Sequence, residues 1–368
     1  MAPAMNQLRA SLDDHATYDA FLLAHQRASK NKRSRSEVLK FELNRDRNLF
    51  TILDVVKHGE YHPSKYWLFW VTDPKKRLIL ALPYVDRIIH QWFVEEFIKP
   101  YYIPRFIADS YACIPGRGSH AVVAKIQKYM RTMNRLHNGH YYIMKMDIAK
   151  FFPNINLEIL YQILARVVAD PKLLNLIERM LFDDGEHEGL PIGNYISQYF
   201  ANIYLNELDQ YCKNLLKIRY YVRYMDDFVA LAPNKTTARN WFGQINQFVN
   251  EQLDMKLNIK STYWPTGTER GLDFVGYRIY NDFRLLRRRS KKKIVQIIDD
   301  FENGTDSAEK FIQRANAWHG HVMHADSHRL VERYLGDYAS ILPVVFPPVI
   351  GQMTKVEGDA KLDLGGNA

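Results

Sequence analysis

Two adjacent carboxylates, Asp226 and Asp227, sit within Tyr220-Tyr221-Val222-Arg223-Tyr224-Met225-Asp226-Asp227-Phe228-Val229-Ala230-Leu231-Ala232. β-Branched and aromatic residues flank them. The run reads as two short buried strands joined by a tight turn at Met225-Asp226-Asp227. Burying paired carboxylates is costly unless a cation compensates them. Either the acids close a solvated hairpin, where Asp is a good turn residue, or they hold metal. Upstream, Met144-Lys145-Met146-Asp147-Ile148 is another apolar strand ending in a carboxylate. Three acids from two neighbouring strand ends suit two divalent ions about 4 Å apart, the arrangement used for in-line phosphoryl transfer.

Tyr224-Met225-Asp226-Asp227 resembles the Tyr-X-Asp-Asp box of reverse transcriptases, and the Asp147 strand resembles their first catalytic motif. Other stretches extend the resemblance in order. Tyr66–Thr72 and Leu78–Leu82 read as strands joined by Asp73-Pro74-Lys75-Lys76-Arg77, a turn carrying three cations that suits a triphosphate. It is similar to the fingers hairpin of the family, which makes Lys75, Lys76 and above all Arg77 candidates for substrate binding. Phe152, five positions after Asp147, matches the aromatic that excludes a ribose 2′-OH. Ile148 would lend a backbone carbonyl to the metal.

Pro191-Ile192-Gly193-Asn194-Tyr195-Ile196-Ser197-Gln198 departs from the usual Pro-Gln-Gly…Ser-Pro. This variant resembles the reverse transcriptases of diversity-generating retroelements. The resemblance implies that Ile192, Gly193 and Gln198 lie at the substrate. An aliphatic Ile192 would remove hydrogen bonds to the nucleotide and template, and the family's low fidelity at template adenines follows from that kinship. Lys260 occupies roughly the place of the late palm lysine that protonates pyrophosphate, with Lys256 nearby. Leu272–Tyr280 is similar to the primer-grip hairpin, where Gly276 and Tyr277 would meet nucleic acid together with Tyr224 and Met225. Arg284–Lys293 is the densest basic run, and Arg287, Arg288, Arg289, Lys291 and Lys292 suit a nucleic-acid backbone. The His-rich segment 318–328 fits no usual zinc spacing. It is similar to a thumb segment of diversity-generating enzymes and reads as packing or RNA contact.

A chain of 368 residues suffices for two or three substructures around a sizeable core. The formal charge of +9 favours a polyanionic partner. Two cysteines, Cys113 and Cys212, build neither a disulfide framework nor a Cys-based zinc site, which fits a reducing cytoplasm. No apolar run approaches membrane-spanning length, no signal pattern opens the chain, and no repeat is visible. The basic segment 28–36 is either a phosphate-contacting arm or a solvated loop.

The fold implied is α+β: a right-hand polymerase with an antiparallel palm sheet, fingers and an α-helical thumb. The expected division is a helical extension over 1–60, fingers and palm over 61–280, thumb over 281–342 and a disordered tail over 343–368. The resemblance implies two Mg²⁺ ions, for which Mn²⁺ can substitute, held by Asp147, Ile148, Asp226 and Asp227. It also implies dNTPs, a template RNA with its cDNA or primer, a small basic helical oligomeric accessory protein, and no membrane. The alternatives are a reverse transcriptase of a phage-defence or retron-type system, and an inactive RNA-binding scaffold. The intact acids argue against the last. Asp226→Ala is expected to abolish deoxynucleotide incorporation in a primer-extension assay while leaving RNA binding, measured by filter retention, nearly intact.

Overall fold

The computed structural model describes residues 7–72, 76–182, 188–267 and 270–346. They form two compact units, one running to Val275 and including Tyr280–Asp282, the other comprising Gly276–Ile279 and the chain from Phe283 onward.

The first unit is built on a four-stranded antiparallel sheet. Strands β1 (Trp67–Val71) and β2 (Arg77–Ala81) pair only with each other, as a separate ribbon. The sheet comprises β3 (Tyr142–Asp147), β4 (Tyr221–Tyr224), β5 (Asp227–Ala232) and β6 (Thr262–Pro265), in the order β4-β5-β3-β6. β5 is buried over most of its length, and β3 is nowhere exposed. This explains why both read as near-continuous apolar runs rather than alternating ones. β7 (Leu272–Phe274) closes the unit, and β8 (Tyr277–Ile279) and β9 (Arg284–Leu286) pair antiparallel in the second.

Helices cover the sheet. The helix Tyr195–Gln210 is buried along most of its length, and its core residues include Phe200, Ile203, Tyr204 and Leu208. The helix Lys235–Glu251 buries Ala238, Ile245 and Val249, the i, i+7, i+11 spacing of one helical face. Asn234 caps its start by accepting from Thr237 N at 2.9 Å, which satisfies an orphan N–H of the first turn. Helices Leu157–Ala165 and Pro171–Phe182 follow the expected break, Pro171 standing at the first helical position.

Several expectations shift in detail. The β4–β5 hairpin has a two-residue turn, Met225-Asp226, and Asp227 is the first residue of β5 rather than a turn residue. The expected tail from 343 begins inside the described chain: Val345 is buried and its N–H donates to Leu342 O. Residues 347–368 lie outside the described residues, as does Lys75. No helix among the described residues is long and apolar enough to cross a membrane.

His90 lies in the helix Tyr84–Phe93, and neither ring nitrogen has a hydrogen-bond partner. Burial pushes its pKa down to about 4, opposed by Asp86 one turn earlier. The folded state therefore holds a neutral imidazole, whereas the unfolded chain protonates near the ordinary value of about 6.5. This contribution to stability is complete above that value and lost as pH falls toward 4, by up to roughly 3 kcal/mol. Urea denaturation across that window should show the loss, and His90→Leu should flatten it.

Candidate active site

The three acids meet on one cavity of about 610 Å³. Strand pairing brings them together: Asp147 ends β3 directly opposite Asp227, the first residue of antiparallel β5, and Asp226 precedes it in the turn. Arg77, Phe152, Ile192, Gly193, Gln198, Tyr224 and Met225 line the same space, as does Ile148, whose side chain is buried. Phe151 is buried and Phe152 half-buried; both line the cavity and pack edge-on, with ring centroids 5.5 Å apart.

Asp147 and Asp227 are held by groups distant in sequence. Asn258 Nδ2 donates to Asp147 Oδ2 at 3.1 Å, and Asn258 N donates to Asp147 O at 2.7 Å. Ser261 Oγ accepts from Asp147 N at 3.1 Å. Lys145 precedes Asp147 by two residues and so shares its face of β3. Its Nζ lies 3.5 Å from Asp227 Oδ1, a buried oxygen that has no hydrogen bond. Among the described residues, no three or more His, Cys, Asp or Glu side chains form a ready-made metal group.

Arg223 supports the turn from beneath. It is fully buried, with Nε and Nη2 donating to Asp209 Oδ1 and Oδ2 at 2.8 and 2.7 Å. Nη1 donates to Asn202 Oδ1 and to Met225 O, both at 3.0 Å. Tyr221 OH donates to Asp209 Oδ1 at 2.8 Å. The grip on Met225 matters because its φ is +55°, a left-handed conformation that costs a side-chain-bearing residue roughly 1–2 kcal/mol. Two-residue hairpin loops need such a residue to match strand twist.

The ribbon β1–β2 meets the cavity wall through β2. Leu80 N donates to Ile192 O at 2.9 Å. Gly193 has φ +124°, and a Cβ there would lie 2.6 Å from Ile79 Cγ2. Only glycine permits this approach. Lys76 sits 4.5 Å over the Trp70 ring and is not among the residues that line the cavity.

Lys260, Gly276 and Tyr277 lie off the cavity lining. Lys260 is exposed. Its backbone N–H donates to Asn258 Oδ1 at 3.0 Å, and Asn258 is the residue of this loop that reaches the cavity. Gly276 and Tyr277 serve packing in the second unit. A Cβ at Gly276 (φ +88°) would lie 3.2 Å from the His321 ring, and the buried Tyr277 donates its hydroxyl to His321 O at 2.7 Å. Burial pushes the Tyr277 hydroxyl up to about 12. In the same unit, Trp318 Nε1 donates to Ser290 O at 2.8 Å. Both contacts give the His-rich stretch a packing role. Arg287 caps the helix Arg288–Glu302, whose first turns carry Arg288, Arg289, Lys291 and Lys292.

Asn258 and Asp209 carry no signal in the local pattern. Lys145 carries one, its i−2 position on a strand ending in Asp147. The other two are tertiary contacts.

The family model for reverse transcriptase (RNA-dependent DNA polymerase) matches residues 72–279, more than half of the chain. The chain belongs to that family, whose members generally use divalent metal ions. Group II intron-encoded protein LtrA of Lactococcus lactis subsp. cremoris is 26% identical over 175 residues, covering 45% of this chain and 28% of LtrA. Nuclear intron maturase 1, mitochondrial, of Arabidopsis thaliana is 29% identical over 96 residues, 26% of this chain and 12% of that protein. The chain thus spans no more than 28% of the length of either relative. Among solved structures, apo telomerase from Candida tropicalis truncated from its C-terminal domain has a TM-score of 0.48 at 12% identity, covering 65% of this chain and 60% of that one. Telomerase from Candida albicans, with a fragment of telomeric RNA, has a TM-score of 0.45 at 12% identity, covering 82% and 65%.

Removing one partner of a buried ion pair strands the other charge and costs about 3–5 kcal/mol. Asp209→Ala should lower unfolding free energy by that amount in urea, whereas Lys172→Ala, at an exposed pair with Asp13, should cost less than about 1 kcal/mol.

Proposed function

We propose that this chain is an RNA-directed DNA polymerase that copies a template RNA into error-prone cDNA, with misincorporation concentrated at template adenines, as in diversity-generating retroelements. The observation that carries the reading is Ile192 on the wall of the cavity that Asp147, Asp226 and Asp227 line. An aliphatic side chain offers no hydrogen bond to a nucleotide. Each contact forgone lowers discrimination by about 1 kcal/mol.

The donor set suits Mg²⁺. Carboxylate and carbonyl oxygens are hard ligands, and the buried Oδ1 of Asp227 has an acceptor position to give. Asp147, Asp226, Asp227 and the carbonyl of Ile148 would hold two ions. When bound, they would lower the pKa of the primer 3′-OH and neutralise charge on the triphosphate. Lys145 balances the Asp227 carboxylate until then. Asn258 fixes the Asp147 carboxylate so that one oxygen is aimed before substrate arrives. Arg77 would fork onto triphosphate oxygens. The Phe152 ring would fill the space a 2′-OH needs, so that deoxynucleotides are selected. Lys260, exposed two residues after Asn258, would be the proton donor to the leaving pyrophosphate.

The second unit supports a polyanionic partner on electrostatic grounds. The helix Arg288–Glu302 has no acid in its first turn and begins with Arg288, Arg289, Lys291, Lys292 and Lys293. Cations repel the positive end of a helix dipole, and phosphates there would relieve the repulsion. The duplex of template and cDNA is the partner proposed, with a small basic helical oligomeric accessory protein joining by analogy to diversity-generating enzymes.

Primer extension on RNA with Mg²⁺ and four dNTPs, followed by cDNA sequencing, tests the reading. Errors opposite adenine well above those opposite other bases are expected, with Ile192→Gln lowering them about fivefold. EDTA should stop extension. Accurate cDNA from the native chain would oppose the diversifying role and favour a retron-type or defence-system enzyme.

A further inference from the structure

Cys113 and Gln198 are 85 residues apart, yet Cys113 Sγ lies 3.2 Å from Gln198 Oε1. Cys113 adopts φ +55°, and its segment is fixed on both sides. Tyr111 N donates to Arg223 O at 3.0 Å, and Asn202 Nδ2 donates to Ala112 O at 2.8 Å. Asn202 also accepts from Arg223. One hydrogen-bonded chain therefore runs from the carbonyl of Met225 through Arg223, Asn202 and the backbone beside Cys113 to the amide of Gln198.

The chemistry of the pair sets the direction of that amide. Burial pushes the Cys113 thiol up from its ordinary value, so it is protonated at neutral pH and donates S–H. With the thiol donating to the amide oxygen, the two Nε2 hydrogens of Gln198 are left for the cavity it lines. Gln198 is exposed there, and it follows Ile192 and Gly193 at the entrance of the same helix. A neutral donor beside an aliphatic wall matches a base edge better than a phosphate, which calls for cationic partners.

We propose that Cys113 is a positioning residue that orients Gln198 so that its Nε2–H donates to the minor-groove acceptor of the nascent base pair, purine N3 or pyrimidine O2. All four bases present that acceptor. The contact therefore senses pair geometry without naming the base, a complement to Ile192, which senses nothing polar. The inference rests on the polymerase reading above and deepens it.

The test uses the full chain on RNA templates carrying adenosine or 3-deazaadenosine at one position. The analogue keeps its pairing edge and lacks the N3 acceptor. The native chain should incorporate dTTP about 3- to 10-fold less efficiently opposite the analogue. Gln198→Leu and Cys113→Ala should bring that ratio close to one, and Cys113→Ser, which keeps a donor, should restore it. A loss of folding would scale both templates together and leave the ratio unmoved, so the ratio isolates the contact. An unchanged ratio in Gln198→Leu or in Cys113→Ala overturns the inference while the polymerase reading stands. Absence of extension by the native chain on either template overturns the reading and this inference with it.

Discussion

A guanidinium with no exposed surface, Arg223, forms the brace on which the catalytic hairpin stands. A buried charge is tolerable only when paired and fully hydrogen-bonded. Asp209, Asn202 and the Met225 carbonyl accept from four of its five N–H groups, from two directions. An apolar core of the same volume would serve stability as well or better. It would not hold a backbone carbonyl at a turn whose first residue is in a left-handed conformation. The ion pair is therefore best understood as fixing geometry: it sets where Asp226 and Asp227 point, and the sheet supplies Asp147 opposite.

Much of this was legible in the chain because it depends on local pattern. The apolar runs around Asp147 and around Asp226-Asp227 announced buried strands, and the helices on either side of Pro171 announced themselves by period and break. The register that sets Asp147 against Asp227 was implied by two strands each carrying an acid at one end. The turn was misplaced by one residue because Asp is equally at home in turns and at strand ends, so nothing local fixes the boundary.

What the chain hid are contacts made by folding. Asn258 lies 111 residues from Asp147, and no spacing rule connects them. Lys260 looked suited by charge, yet the shorter amide two residues earlier reaches the cavity while the long cation stays in solvent. Gly276 looked like clearance for a ligand, but the space is taken by the His321 ring. In each case charge or smallness was read correctly as a property, and the neighbour that uses it came from a distant segment.

The ribbon β1–β2 stands apart from the core, with Trp67, Leu68 and Trp70 between 58 and 71% exposed. A two-stranded hairpin on its own is marginally stable in water. This one leans on the sheet-bearing unit through the Leu80–Ile192 hydrogen bond and the contact at Gly193. Its exposed apolar face and few tertiary bonds place it at the low-stability end of that unit. Arg77 rides on it. The residence time of any anion that Arg77 grips is then set by the lifetime of this small ribbon, and two proteins of equal overall stability can differ in that lifetime through a single residue at position 79 or 193.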